Sequence, residues 1–222
     1  FAEAFADYKY KWSKEDFERM LQRRGFAPEL SFGAFDDDKL ISFTLNCVGR
    51  FNGHKTAYDT ATGTIKAFRG RGLASQIFNH AIPFLKKRDI THYLLEVLQE
   101  NETAISVYTK AGFKENRSFT HYLQNSRDVV FAKHGLPEGC SLRFTYLNDR
   151  HNMEALWDVQ PAWQNSFDSL TRQPGGFFIW GVYDGAQLIG YGIIETATGD
   201  IPQLAVHKDY RRKGIGSAIL KE

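Results

Sequence analysis

The sequence predicts a mixed α/β (α+β) protein in which one unit occurs twice in tandem. The stretch Gly33–Phe43, GAFDDDKLISF, resembles Gly181–Tyr191, GVYDGAQLIGY, at a spacing of 148 residues. A second pair of blocks follows in the same order at a spacing of 142 residues, RGRGLA at Arg69–Ala74 and RRKGIG at Arg211–Gly216. Because self-similarity at a near-constant spacing is typical of repeated architectures, we predict a domain at residues 1–135 and another at residues 140–222.

The first repeated block predicts a β-hairpin, since apolar residues alternate up to a turn rich in Asp or Gly and resume after it. The second block is a Gly-rich turn that leads into a helix, from about Gly72 to Arg88 in the first copy, with apolar residues at helical spacing. Six extra residues in the first copy are expected at the turn Arg50–His54. The remaining predicted elements are strand Tyr93–Leu98, helix Glu102–Lys110, strand Phe119–Gln124, a linker at His134–Gly139, strand Ser141–Tyr146 and a helical region over about Asn152–Leu170.

The repeat also carries an expectation about the ends of the two copies. The spacing places the counterpart of Ser141 before Phe1, so the opening strand of the first copy is expected to lie outside this chain or to be absent. The second copy is expected to be incomplete, because the chain stops at Glu222 within the helix that follows its Gly-rich turn.

Composition argues against several classes of partner. The chain has 28 Lys and Arg against 26 Asp and Glu, so it carries no strong field for nucleic acid or an anionic membrane. Cys47 and Cys140 have no Cys or His neighbours at metal-ligand spacing, which predicts no metal site and no disulfide framework. No apolar run approaches the ~18 residues needed to span a bilayer. We therefore expect a cytoplasmic protein, monomeric or homodimeric, without nucleic-acid or membrane partners.

The Gly-rich block has the residues that a diphosphate site requires. Glycines allow the backbone to approach the phosphates, successive N–H groups point at the oxygens, and the helix N-terminus adds partial positive charge. The arginines at 69 and 71 add full charges. A surface turn with solvated arginines is the alternative, and the recurrence of the block in an internal repeat argues against it.

Two motifs resemble those of the GNAT (Gcn5-related N-acetyltransferase) superfamily. Arg69–Ala74 and Arg211–Gly216 resemble its motif A, Gln/Arg-x-x-Gly-x-Gly/Ala, which holds the pyrophosphate of acetyl-coenzyme A. Asn101–Phe113 is similar to motif B, Asn-x-x-Ala-x-x-x-Tyr-x-x-x-Gly-Phe, of the branch that acetylates ribosomal-protein N-termini. The resemblance implies two tandem GNAT-like domains, each a mixed, mostly antiparallel twisted sheet with splayed central strands and flanking helices.

The resemblance implies acetyl-coenzyme A as co-substrate and a set of residues that bind it. In the first copy these are Thr64, Ile65, Arg69, Gly70, Arg71, Gly72, Leu73, Ala74 and Asn101. In the second copy they are Leu204, Val206, Arg211, Arg212, Lys213, Gly214, Ile215 and Gly216. Thr64 and Lys66 depart from the usual Val and Pro of the motif A strand, but the expected pantetheine contact there is made by main-chain groups.

The resemblance also implies the catalytic groups. Tyr108 is similar to the general acid that protonates the departing thiolate of coenzyme A. Glu96 matches the base of the ribosomal branch, and Asp59 is the rival, because other branches place their base about ten residues before motif A. The sequence leaves both candidates open.

These observations predict an N-acetyltransferase that transfers an acetyl group to a primary amine of a small molecule or peptide. The first copy is expected to carry the chemistry, since it alone combines motif A, a candidate base, Asn101 and Tyr108. The alternative is a non-catalytic acyl-coenzyme A-binding or scaffold protein with a degenerate GNAT fold. The acceptor cannot be read from the sequence.

Overall fold

The computed structural model describes residues 1–7, 12–130 and 135–222. Its residues group into two compact units, Phe1–Ser118 and Phe119–Glu222. His134, the first residue of the predicted linker, lies outside the described residues, and the domain limits 1–135 and 140–222 stay a prediction. Within the described ranges, no helix has both the length and the apolarity that crossing a membrane requires.

The first unit is one four-stranded sheet with helices. Its sheet has the order β1-β2-β3-β4, in which the first three strands are antiparallel and β4 runs parallel to β3. The elements are α1 (Lys14–Arg24), β1 (Phe32–Asp36), β2 (Lys39–Phe51), β3 (His54–Thr64), α2 (Leu73–Lys87), β4 (His92–Leu95) and α3 (Glu102–Lys110). Helix α2 buries Ile77, Phe78, Ala81 and Leu85. Phe84, which helical spacing also predicts on the buried face, is 39% exposed.

The two central strands of this sheet separate part of the way along. Strand β4 pairs with β3 only from Thr56 to Asp59, whereas β3 continues beside β2 as far as Thr64. At the point of separation β3 has a bulge at Thr60, because Asp59 lies opposite Asn46 while Ala61 lies opposite Leu45. Among the described strands, the edge of β3 beyond Asp59 that faces away from β2 therefore has no partner strand.

The second unit contains a second four-stranded sheet, antiparallel throughout, in the order β5-β6-β7-β8. Its elements are β5 (Cys140–Phe144), α4 (Arg150–Glu154), α5 (Phe167–Thr171), β6 (Phe177–Asp184), β7 (Gln187–Glu195), β8 (Gln203–Val206) and α6 (Ile215–Lys221). One core cluster includes Met153, Leu170, Tyr191 and Ile193, each with 0% exposure, so the short helices are held by their apolar side chains.

The strand registers of the two units coincide. Gly33 lies opposite Phe43 in the first unit, and Gly181 lies opposite Tyr191 in the second. Both hairpins have a register shift at the same place, between Ala34 and Phe35 and between Val182 and Tyr183. In each case the shift leaves the Ile of the Leu-Ile pair without a residue opposite it. The third strands also correspond, since the pairs Thr44–Thr62 and Gly192–Leu204 are related by the two sequence spacings. The predicted two-copy fold is confirmed.

Three predicted elements differ from the structure. The strand at Phe119–Gln124 is wrong, since no strand forms there, and Tyr122 and Leu123 are 94% and 98% exposed. Favourable strand residues do not suffice without a neighbouring strand to bond with. Strand β4 ends at Leu95, short of the predicted Leu98, and the expected helical region at Asn152–Leu170 consists of short pieces.

Candidate active site

The Gly-rich loop of the first unit leaves the start of a long helix open. Gly70 and Gly72 have φ of 78° and 73°, a conformation that costs other residues energy. Gly72 precedes the fifteen-residue helix α2, and no side chain caps its first N–H groups. A Cβ at Gly70 would meet nothing within 4 Å. Uncapped N–H groups and open space at a helix N-terminus fit a diphosphate.

The first arginine of each loop is bonded to the protein itself. Arg69 Nε donates to the Thr64 carbonyl at 3.1 Å, and its Nη1 lies 2.8 Å from Asp7. Arg211 repeats both bonds, to the Val206 carbonyl at 3.0 Å and to Asp158 at 2.8 Å. Each arginine thus fastens the end of its strand to a preceding loop, while its predicted contact with coenzyme A stays a prediction.

Most of the other predicted coenzyme-binding residues lie around the same loops. Arg71 is exposed, donates to the Ala67 carbonyl at 3.3 Å and covers the Phe68 ring. In the second unit Arg212 has a φ of 62° and Lys213 lies 5.0 Å from the centre of the Tyr210 ring. In the first unit Thr64 ends β3, Ile65 follows it, and Leu73 and Ala74 begin α2. In the second unit Leu204 and Val206 lie in β8, Gly214 precedes α6, and Ile215 and Gly216 begin α6.

Asn101 has a structural partner as well as a predicted ligand. Its Oδ1 accepts from the Ala104 N–H at 3.2 Å and so caps α3, the helix that contains Tyr108. The amide N–H groups of Asn101 have no part in this cap and could serve the predicted bond to the pantetheine arm.

Asp59 and Tyr108 come together where β3 and β4 separate. Asp59 is 5% exposed, and its Oδ2 accepts from the Thr62 hydroxyl at 2.7 Å and from the Tyr108 hydroxyl at 3.5 Å. Asp59 Oδ1 is also buried, and no hydrogen-bond donor among the described residues reaches it. A buried carboxylate oxygen without a donor is costly to ionise, so this atom is a candidate contact for a ligand.

The environment of Asp59 brings its pKa close to neutral pH. Burial raises the pKa of Asp59 to about 7, although hydrogen bonds from Thr62, Tyr108 and the Ala61 backbone oppose the rise. A carboxyl group with such a pKa is present in both protonation states near pH 7, as a general base requires.

Glu96 has a different environment. It is exposed and follows the last residue of β4. Burial raises the pKa of Tyr58, and the charge of Glu96 adds to that rise. The same charge opposes the fall that burial causes in the pKa of Arg117. Because successive residues of a strand point to opposite faces, Tyr58 and Asp59 lie on opposite sides of the sheet. The structure therefore associates Glu96 with Tyr58, and Tyr108 with Asp59.

The second unit has a cleft beside its own Gly-rich loop. A space of about 820 Å³ is lined by the loop before α6, by β8 and by the segment Leu156–Pro161. Tyr191 and Gln203 also line it, and the Tyr191 hydroxyl donates to Gln203 at 2.6 Å. The spacing of 142 residues makes Ile201 the counterpart of Asp59 in the sequence, and Ile201 is 47% exposed. The two units therefore share the loop but differ at the position of Asp59.

Sequence reasoning missed two residues that contact this site. Thr62 bonds to Asp59, and Thr44 lies opposite Thr62 on the neighbouring strand. Strand alternation would place residues 59 and 62 on opposite faces, and only the bulge at Thr60 brings them together. No local sequence signal marks that bulge.

Comparisons with known proteins agree with this fold and loop. Residues 1–113 match the acetyltransferase (GNAT) family, and residues 175–222 match an acetyltransferase (GNAT) domain. The fold and the loop thus define an acyltransferase of the GNAT type. The first match includes half of the chain, and the chain belongs to the acetyltransferase (GNAT) family.

Two curated relatives and one solved structure are informative. N-alpha-acetyltransferase 30 of Schizosaccharomyces pombe is 29% identical over 104 residues, which are 46% of this chain and 69% of that protein. N-alpha-acetyltransferase MAK3 of Arabidopsis thaliana is 28% identical over 116 residues, and the match spans 50% of this chain and 61% of the relative. A tandem GNAT protein from the clavulanic acid biosynthesis pathway shares the fold over 98% of this chain and 76% of its own, with a TM-score of 0.58 at 14% identity.

Proposed function

We propose that the first unit is an N-acetyltransferase that uses acetyl-coenzyme A and a primary amine, with Asp59 as the base and Tyr108 as the acid. The observation that carries this proposal is the buried Asp59 carboxyl, which keeps one oxygen without a donor and lies beside a tyrosine hydroxyl at the opening of the sheet. Family membership supports acyl transfer as the reaction class.

The loop before α2 would hold the donor substrate. Gly70, Gly72 and the first N–H groups of α2 would bind its diphosphate, and the unpaired edge of β3 would bond to its pantetheine arm. Acetyl-coenzyme A supplies a thioester whose acetyl carbon accepts the amine nitrogen as the C–S bond breaks.

The protein must accept one proton and supply another. The acceptor arrives mostly as an ammonium ion, and Asp59 Oδ1 takes its proton so that the nitrogen has a free lone pair. The Tyr108 hydroxyl gives a proton to the departing thiolate. Tyr108 is then reprotonated by solvent and Asp59 Oδ1 releases its proton to solvent, because the oxygen bonded to Tyr108 at 3.5 Å is Oδ2. The nitrogen loses its second proton to solvent as the amide forms, so each turnover of an ammonium ion releases one proton and both groups end in their starting states.

We propose the α-amino group of a peptide as the acceptor to test first. Two relatives named N-alpha-acetyltransferase support this choice, each less than 30% identical to this chain. Small-molecule amines remain the second class, since the fold alone does not choose between them.

The test compares two carboxylates. Thiol release from acetyl-coenzyme A is measured with a panel of peptides and small amines, for the wild type and for Asp59→Asn and Glu96→Gln. We expect Asp59→Asn to lower kcat by about 10² to 10⁴, while Glu96→Gln retains most activity. Near-wild-type turnover by Asp59→Asn would reject Asp59 as the base, and loss in Glu96→Gln alone would favour Glu96. Binding of coenzyme A without turnover of any amine would support the alternative of a binding protein.

A further inference from the structure

A chain of hydroxyl groups ends at the Asp59 carboxyl. Thr62 Oγ1 donates to Asp59 Oδ2 at 2.7 Å, and Thr44 Oγ1 lies 2.9 Å from Thr62 Oγ1. A hydroxyl has a single hydrogen. Because the hydrogen of Thr62 is donated to Asp59, the hydrogen of Thr44 must point at Thr62. The chain is therefore directed from Thr44 through Thr62 to Asp59, and each bond polarises the next.

A neighbouring pair of hydroxyls is directed elsewhere. Ser42 Oγ lies 2.8 Å from Thr64 Oγ1 and donates to the Gly63 carbonyl at 3.2 Å. The hydrogen of Ser42 is thus used on the backbone, so Thr64 donates to Ser42. This pair also joins β2 to β3, but its last hydrogen bond goes to the Gly63 carbonyl of β3 and not to Asp59.

The second unit shows that the fold does not need these hydroxyls. The positions of Thr44 and Thr62 are taken there by Gly192 and Leu204, which lie opposite each other in the same register. A Cβ at Gly192 would meet Ile219 Cγ2 at 2.4 Å, so α6 packs directly on the strand. The copy without an aspartate at the position of Asp59 also has no hydroxyl chain. A buried hydroxyl such as that of Thr44, which is 0% exposed, is costly unless it is bonded.

We propose that Thr62 and Thr44 are positioning residues for acyl transfer: they hold Asp59 Oδ2 so that Oδ1 remains the oxygen that receives the proton of the acceptor. This inference rests on the proposed function of Asp59. Thr62 fixes the rotation of the carboxyl group and stabilises its ionised form, and Thr44 orients the Thr62 hydroxyl.

The groups that face Asp59 allow its titration to be isolated. Tyr108 of α3 donates to it, Tyr93 of β4 is close enough to respond to its charge, and Tyr58 is its neighbour in β3. Burial raises the pKa of Tyr58 and of Tyr93 well above the usual range, so both stay neutral near pH 7. Loss of the Thr62 donor removes a bond that favours the carboxylate, which raises the pKa of Asp59.

The titration is measured by ¹³C NMR of the full chain labelled at the Asp side-chain carboxyl, with the Asp59 signal identified by its loss in Asp59→Asn. We expect Thr62→Val to raise the midpoint by about one unit, a tenfold change in proton affinity. Thr62→Ser should restore the wild-type midpoint, and Thr44→Val should give a smaller rise. Ser42→Ala is the matched control and should leave the midpoint unchanged.

An unchanged midpoint in both Thr62→Val and Thr44→Val would overturn the inference, as would equal shifts in Thr62→Val and Ser42→Ala. If Thr62→Val does not fold, Thr44→Val and Thr62→Ser still provide the comparison. Failure of the proposed function is seen separately, as turnover that survives in Asp59→Asn, and it leaves these titrations unaffected.

Discussion

Gly53 and Gly72 have nearly the same φ, 77° and 73°, at positions before β3 and before α2. A Cβ at Gly53 would meet nothing within 4 Å, and one at Gly72 would meet only the Gln76 side chain at 4.0 Å. Substitution of either glycine by alanine therefore costs similar backbone energy, about 1 kcal/mol, without a steric clash. The two sites differ in that only Gly72 precedes the uncapped helix.

This pair predicts a selective effect on coenzyme binding. Gly72→Ala should weaken coenzyme A binding to the first unit about tenfold or more, because a shift of the loop turns its N–H groups away from the diphosphate. Gly53→Ala should lower the melting temperature by about as much as Gly72→Ala does, and it should leave the affinity for coenzyme A unchanged. Isothermal calorimetry and thermal unfolding measure both quantities. Equal affinities in the two variants would contradict a diphosphate site at this loop.

Burial of Asp59 predicts a cost in stability that grows with pH. Its folded pKa of about 7 lies above its unfolded value of about 3.9. The folded state therefore binds the proton more tightly, and this contribution is complete below the unfolded pKa and disappears as pH rises through the folded pKa. Between pH 5 and pH 8 the wild type should lose roughly 2.5 kcal/mol of unfolding free energy relative to Asp59→Asn.

Urea unfolding of both proteins at several pH values measures this difference, and all other titrating groups cancel in the comparison. A difference that stays constant from pH 5 to pH 8 would show that Asp59 titrates normally. The expected result would also mean that the base is retained at the expense of stability, as is common at catalytic positions.

The sequence predicted the repeated core well because local patterns determine it. Alternating apolar residues and the turn near Asp37 define β1 and β2, and the second copy repeats the same register. Strand Phe119–Gln124 could not be judged in this way, since its formation depends on a partner strand. The bulge at Thr60 likewise depends on pairing with β2, so the contact between Thr62 and Asp59 appears only in three dimensions.

The sequence also did not predict the hydrogen-bond partners of Arg69 and Arg211. Arg69 was predicted to add charge for a diphosphate, whereas its side chain bonds to Thr64 and Asp7. Asp7 is 62 residues away in the chain, and no local pattern links the two positions. The same arrangement of Arg211 with Asp158 indicates that both copies use this arginine to fix the strand that precedes the loop.

Tyr108→Phe separates catalysis from packing. The Tyr108 ring makes edge contacts with Phe78 and Phe113 at 5.6 and 5.8 Å between centroids, and phenylalanine retains them. We expect kcat to fall by about 10², with little change in KM or melting temperature. Tyr93→Phe is the control, because its hydroxyl bonds to Asn46 at 2.6 Å. It should lower stability and leave kcat nearly unchanged. A change in KM with an unchanged kcat would contradict an acid role for Tyr108.

The cleft of the second unit predicts a second coenzyme A site that does not turn over. Gly214 has a φ of 84° and lines this cleft, and Gly185 has a φ of 57° in the β6–β7 turn, where a Cβ would meet nothing within 4 Å. Calorimetry should give two sites for the wild type, one of them weakened about tenfold or more in each of Gly72→Ala and Gly214→Ala, with Gly185→Ala as the control that keeps both unchanged. Acetyl transfer at low acetyl-coenzyme A should fall only in Gly72→Ala, because Ile201 replaces Asp59 in the second unit. A single site that disappears in Gly72→Ala would mean that the second copy retains the loop for its packing alone.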